Sequence, residues 1–556
     1  MRLPAPPKEN SMNGYEVMAQ ALKAEGVEFL VAFPAQRLID VAAAAGIRPI
    51  LCRQERAGVN MADGFSRVSN GRKVGVFSMQ QGPGAENAFG GVAQAYADSV
   101  PILVLPGGEP HQRRGIHPTF DSVPNYRGIT KWGAVIHRPD DITSMVRRAF
   151  TQLKHGRLGP VMVEMPGDVM GADVAAEAAN YTPVRRFAGA ASAEDVRDLV
   201  TALLKAKDPI ICAGAGIFYA EATDELIEFA ELTHIPVMTS HAGKSAFPET
   251  HPLALGVGAI SRTLMVHRFL QTTDFVLGVG TSFTRNTFTA AMPNNVILAQ
   301  VTNCAEDINK DYDVVYGAIG DAKLVLRQMI EEAKRQLGAN GRGDVNGVTD
   351  RISQLKEEWL GQWEPHFTTN EVPISPYRVL RELQLAVNVD NTIITHDSGY
   401  PREQFVPFWQ PTKPHGYIGW GKSTQLGYGL GLALGAKLAA PERQVINVMG
   451  DAAFGMAGLD LETASRAGIA ILTIVLNNGV MTHYHEHMPY ATEHWKLNQL
   501  GGNYSAVAEG LGVFAQRVKT PDQLAPAIRK AIATNQEGKP ALIEVLTKEE
   551  ETVSRF

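Results

Sequence analysis

Short runs rich in valine, isoleucine and leucine, each bounded by glycine or proline, recur along this whole chain and alternate with longer segments of helical periodicity. A strand that is apolar on successive residues has both faces covered, and a helix between two such strands returns the chain to begin the next in the same direction. The alternation therefore predicts parallel sheets with helices on their faces, an α/β fold of doubly wound domains. Strands are expected at 27–33, 73–79, 101–105 and 160–164, after a helix over 15–25; then at 209–213, 236–239, 275–279 and 296–301; then at 392–396, 444–448, 471–476 and 541–545. An alanine-rich stretch carrying Pro183 and a Gly- and Asn-rich stretch at 338–347 interrupt the pattern, as linkers do. The expected organisation is a tail over 1–12, domains over 13–180 and 190–340, a linker with a polar helix over 341–372, and a third domain over 373–556. A chain of 556 residues exceeds what one hydrophobic core organises.

Charge and cysteine content narrow the function classes. The formal charge of -6, with no basic tract, argues against a nucleic-acid partner, whose phosphates must be met by clustered Lys and Arg. Cys52, Cys212 and Cys304 are few and widely spaced, so neither a disulfide framework nor a cysteine metal site is expected, in keeping with a cytoplasmic protein. No run reaches the ~18 apolar residues needed to cross a membrane, and none resembling a leader opens the chain.

The chemistry concentrates in the third block. The strand expected at 444–448 runs into Gly450-Asp451-Ala452-Ala453-Phe454, and the next runs into Asn477-Asn478-Gly479-Val480. Both segments fall at the carboxyl ends of strands, where open α/β sheets hold their ligands, and a helix starting just after Asp451 would point its positive end at an anion there. A carboxylate and an amide oxygen suit a hard cation such as magnesium, which fills its shell from a bound phosphate. Either segment alone is an ordinary turn.

Together they resemble the Gly-Asp-x and Asn-Asn signature of thiamine-diphosphate enzymes, and the chain from 14 to 548 is similar throughout to their acetolactate synthase and pyruvate oxidase branch. The resemblance implies pyrimidine-binding, middle and diphosphate-binding domains in that order. It implies that Asp451, Asn478 and the Val480 carbonyl hold Mg2+, that Gly399, Tyr400, Thr424, Gly450, Ala452 and Ala453 border the cofactor, and that Leu426 is the bulky apolar residue that keeps it bent. In the first block, Glu55 of Arg53-Gln54-Glu55-Arg56 matches the glutamate that hydrogen-bonds the aminopyrimidine ring and promotes loss of a proton from the thiazolium. Gln81, before Gly82-Pro83-Gly84, and Phe120-Asp121 match segments beside the reacting centre, with Lys131 following. Glu55, Gln81, Phe120 and Asp121 are thus the expected catalytic residues. Such sites form between subunits, which implies a homodimer or homotetramer.

The remaining segments divide the substrate reading. Gln81 and Asp121 replace the residues usual in acetolactate synthases, and Gly450 to Thr463 looks closer to oxalyl-CoA decarboxylases and 2-hydroxyacyl-CoA lyases. The leading expectation is a lyase or carboligase acting on a small 2-oxo acid, with a CoA thioester as the alternative; the short stretch after Thr547 leaves little chain to cover a CoA arm. His483, His485 and His487 alternate in a way that fits neither a helical face nor the usual zinc spacings, and His483 and His485 are expected in the wall of the site. Cys212-Ala213-Gly214-Ala215-Gly216 lacks a complete dinucleotide fingerprint, which argues against a nicotinamide enzyme. Flavin adenine dinucleotide or an adenine nucleotide remains open for the middle domain, with Arg285 resembling a flavin contact.

Overall fold

A computed structural model describes residues 12–34, 36–338 and 340–556, so nearly all of the expected N-terminal tail lies outside the described residues. The chain divides into two compact units, the first reaching Phe187 and including Leu434–Ala439, the second comprising Ala188–Ala433 and Ala440–Phe556. There are three six-stranded sheets, one in the first unit and two in the second, and every pairing within them is parallel. The doubly wound α/β expectation is met.

All twelve expected strands form, and they occupy the four inner positions of each sheet. The six strands that hydropathy did not reveal are the edges: Arg48–Leu51 and Trp132–Val135, Ala254–Val257 and Tyr316–Ile319, Tyr417–Ile418 and Phe514–Val518. An inner strand such as Gly75–Met79 is buried at every residue, whereas Arg48–Leu51 buries only Ile50 and Phe514–Val518 only Val518. An edge strand has one hydrogen-bonded neighbour and partly wet faces, so it needs no continuous apolar run.

In the third sheet the strands lie in the order Tyr417–Ile418, Thr392–His396, Gln444–Gly450, Leu472–Asn477, Ala541–Leu546, Phe514–Val518. From Thr392–His396 the chain builds first to one side and then, at Gln444–Gly450, to the other. The crevice at such a reversal lies outside the carboxyl ends of the two strands, and no element of the sheet covers it.

The segment expected as linker and polar helix contributes more than a connection. Val348–Thr368 is one helix whose Trp359, Trp363 and Phe367 recur every fourth residue and are buried. Trp359 stacks on Phe408 at 4.7 Å between ring centres, and Trp363 and Phe367 pack against Tyr377 and the same Phe408. A single hydrophobic cluster thereby joins residues of the second and third sheets. Such aromatic pairs contribute about 0.5–1.5 kcal/mol each beyond the area they bury. Among the described residues no helix is long and apolar enough to cross a membrane. Trp359→Ala is expected to cost about 3–5 kcal/mol, seen as a fall of several degrees in the thermal unfolding of the second unit; an unchanged transition would contradict the joining role of this helix.

Candidate functional site

The third sheet builds its crevice from three strand ends. Asp397, just beyond Thr392–His396, is fully buried, and its two carboxylate oxygens accept hydrogen bonds from the backbone N–H groups of Gly427 and Gly429, both at 2.9 Å. These N–H groups open the helix Tyr428–Ala439, so the carboxylate satisfies donors that a helix start leaves unpaired and meets its positive end. The turn fits only glycine at Gly429, where a Cβ would lie 2.7 Å from Asn447 Oδ1 and 2.8 Å from the His396 carbonyl. Leu426 is held in place by this turn. Asp397 has no role in the sequence reading. A carboxylate at a strand end followed by a paired-glycine helix start was the available signal.

Asp451 begins the helix Asp451–Ala457 at the end of the neighbouring strand and is 4% exposed. One carboxylate oxygen accepts from Ala452 N–H at 2.8 Å, the other from Gly479 N–H at 2.9 Å, which ties two adjacent strand ends together. Burial raises its pKa above the usual carboxylate range, aided by the Glu544 charge and opposed by these hydrogen bonds. Glu544 is itself buried and accepts from Asn477 and from Ser505 N–H, so its charge is solvated by the protein. The Asn478 amide nitrogen donates to Thr482 Oγ1 at 2.7 Å, and its oxygen accepts from Val480 N–H at 3.1 Å. The returning segment fixes this loop through Met481 N–H to Asn498 and Leu500 N–H to Gly479, bonds in which the Val480 carbonyl takes no part.

One cavity of about 140 Å³ is lined by Gly399, Tyr400, Leu426, Gly450, Asp451, Ala452, Ala453, Asn478 and Val480. The sequence reading named every one of them. Thr424 is not in the lining and is exposed two residues before Leu426. The reading missed Gln404, Met481, Thr482, Tyr484, Thr547 and Lys548, which also line it. The first and the last two come from segments with no motif of their own. A carboxylate, an amide oxygen and a backbone carbonyl around one cavity make an all-oxygen donor set, which fits a hard divalent cation whose remaining ligands come from a phosphate or water. His483 and His485, expected in the wall, are outside this lining, and Tyr484 takes that place.

In the first unit, Glu55 opens the helix Glu55–Val68 and is 4% exposed, with Asn87 Nδ2 donating to its Oε2 at 3.3 Å. Tyr126, whose hydroxyl donates to the Ala85 carbonyl, has its pKa raised by burial and then by the Glu55 charge. Gln81 is exposed and reaches over Gly107, where a Cβ would meet its Oε1 at 3.0 Å. Gly82, at φ +62°, then turns the chain into the helix Pro83–Ala97. Phe120 and Asp121 are half-buried ahead of the helix Ser122–Tyr126. The Asp121 charge helps burial raise the pKa of Glu164, against Arg114 at 3.7 Å, so a second carboxylate and a guanidinium accompany Asp121. Neither Arg114 nor Glu164 carried a motif. Lys131 Nζ donates to the carbonyls of Gln152 and His155, both at 2.6 Å, and so binds the end of the helix Ile142–Lys154.

The glycines of the middle domain are explained by backbone contact. Gly214 N–H donates to the Val279 carbonyl and Gly216 N–H to that of Gly280, with no room for a Cβ at Gly214, Gly216 or Gly280. Arg285 lies over the Tyr312 ring, 4.2 Å from its centre.

Comparison with known proteins agrees with this architecture. Residues 12–126 match the N-terminal TPP binding domain of thiamine pyrophosphate enzymes, 196–329 their central domain, and 397–545 their C-terminal TPP binding domain. The chain is 30% identical to the acetolactate synthase large subunit of Haemophilus influenzae, over 94% of this chain and 92% of that protein. It is 28% identical to a probable acetolactate synthase large subunit of Methanococcus aeolicus, over 94% and 90%, and 28% identical to the acetolactate synthase isozyme 3 large subunit of Escherichia coli, over 96% and 94%. With all three domain models matched in order and relatives similar over almost their full length, the chain belongs to the thiamine-diphosphate-dependent enzymes, in the family of the acetolactate synthase large subunits.

Proposed function

We propose that this chain is a magnesium-dependent carboligase that decarboxylates one small 2-oxo acid and joins the remaining acyl fragment to a second carbonyl compound. One bond to a carboxylate breaks, with release of carbon dioxide, and one carbon–carbon bond forms. The observation that carries the reading is the convergence of Asp451, Asn478 and Val480 with Gly399, Tyr400 and Leu426 on one cavity at the sheet's reversal point. When bound, thiamine diphosphate supplies the electron sink that decarboxylation requires.

The chain's own residues then have separate tasks. Asp451, Asn478 and the Val480 carbonyl would hold Mg2+, and the Gly399–Tyr400 and Gly450–Ala453 helix starts would border the diphosphate. Leu426 supplies an apolar support placed by Asp397. Glu55 would hold the aminopyrimidine ring and share a proton with it, and its burial would keep water from that exchange. Gln81, Phe120 and Asp121 belong on the substrate side, with Arg114 as the cation nearest the acidic pair there. The active sites are proposed to lie at subunit interfaces of a homodimer or homotetramer.

The cavity's cations favour a small acid over a CoA ester. A CoA substrate needs cations along its phosphates, whereas the lining offers Lys548, already bonded to Glu371 at 2.9 Å and Glu550 at 2.8 Å. The relatives compared are likewise acetolactate synthases.

Three outcomes are expected. Asp451→Ala should lose magnesium-dependent retention of thiamine diphosphate while keeping its fold; retention at wild-type affinity would remove the metal assignment. Glu55→Gln should keep the cofactor and lose roughly 10²- to 10⁴-fold in turnover, the usual worth of general acid–base catalysis, and near-normal turnover would assign the activation to another group. Offered pyruvate-like acids or 2-hydroxyacyl-CoA esters, the loaded enzyme should release carbon dioxide and form a 2-hydroxy ketone product from the acids, and turnover of CoA esters alone would replace the proposed substrate class.

A further inference from the structure

Two of the three alternating histidines meet carboxylates from a distant segment. His483 Nε2 lies 3.0 Å from Glu486 Oε2, and its Nδ1 lies 3.6 Å from Glu551 Oε1. His485 Nδ1 lies 3.7 Å from that same Glu551 oxygen. Glu549 completes a second set with His485 and Glu551, and within each set one ligand atom per residue falls inside a sphere of mutual distances up to 4.8 Å. In a tetrahedral site with metal–ligand bonds of about 2.1 Å, donor atoms stand about 3.4 Å apart. The donors of His483, Glu486 and Glu551 lie within 4.8 Å of one another and must draw closer to surround one ion.

Electrostatics and partner choice point the same way. Glu486, Glu549 and Glu551 bring three carboxylates to imidazoles that carry no charge when they ligate a metal. The adjacent Lys548 does not balance them, because it is bonded to Glu371 and Glu550; Arg555 is the cation felt nearby, at Tyr400. His483 Nδ1 is shielded from solvent and makes no hydrogen bond although it faces Glu551. Mixed imidazole and carboxylate donors select a divalent transition metal, whereas magnesium takes oxygen ligands.

We infer that His483, Glu486 and Glu551 form a second metal site, specific for a zinc-like divalent transition ion and separate from the magnesium site. It joins two segments at the rim of the cofactor cavity. One begins immediately after Val480 to Thr482 and contains Tyr484; the other follows Thr547 and Lys548, and all of these line the cavity. A metal bound here clips the rim segments together, so its occupancy slows exchange through that opening. The spacing of the histidines alone excluded a zinc site because the missing donors lie more than sixty residues further along the chain.

The test uses the full-length protein saturated with thiamine diphosphate and Mg2+, titrated with Co2+ and followed by the visible absorption bands of low-coordinate cobalt. The expected result is a saturable site displaced by Zn2+, weakened about tenfold or more in both Glu551→Gln and His483→Asn. It should be unchanged in His494→Ala, which alters a surface histidine outside the cluster, and, with wild type and variant both free of cofactor and Mg2+, in Asp451→Ala. Wild-type Co2+ affinity in Glu551→Gln and His483→Asn, or loss of the bands in Asp451→Ala, would overturn the inference. The last outcome would place the cobalt in the magnesium site and leave the proposed carboligase activity untouched.

Discussion

The bridge made by the Asp451 carboxylate, from Ala452 N–H on its own helix to Gly479 N–H at the neighbouring strand end, is the interaction around which the diphosphate end of this enzyme is organised. It fixes the distance between two loops that belong to different βα units. The same carboxylate retains lone pairs for a cation, so one group sets both the backbone geometry and the charge of the site. Its cost is burial, which raises the pKa of Asp451 and makes a positive partner favourable there. Two further carboxylates support this region in different ways. Asp397 caps the helix that carries the chain away from Leu426, and Glu544 holds Asn477 and Ser505 behind the Asn478–Val480 loop.

How much of this was legible in the sequence follows from where each signal arises. Inner strands announce themselves because both faces are dry, and all twelve could be read; of the six edge strands, one such as Trp132–Val135 buries only one residue fully, while Ala254–Val257 and Tyr417–Ile418 are buried but too short to stand out as apolar runs. Asp451, Asn478 and Val480 were legible because each follows an inner strand at its carboxyl end and matches a family motif. Thr547 and Lys548 reach the same cavity from a segment with no pattern, and only the folded chain brings them there. Thr424 shows the converse: proximity in sequence to Leu426 does not carry it into the lining. The three histidines illustrate a limit of spacing arguments, because a ligand set drawn from two segments leaves no local periodicity.

The first unit follows a similar logic with different chemistry. Glu55 is buried at a helix start beside Asn87 and Tyr126, so a proton shared with a bound ring would be exchanged away from bulk water. Asp121, Glu164 and Arg114 give the neighbouring loop an acid-rich character that the acetolactate synthase pattern does not predict. That difference is where the substrate preference of this member of the family is expected to arise.

The central claim is that cation and cofactor bind as one unit on the Asp451 bridge, and linkage tests it directly. Calorimetric titration of the metal-free protein with thiamine diphosphate at rising Mg2+, and with Mg2+ at rising thiamine diphosphate, measures both couplings. The account predicts that each ligand strengthens the other's binding by the same factor. Equal affinity for thiamine diphosphate in Mg2+ and in chelator would contradict it.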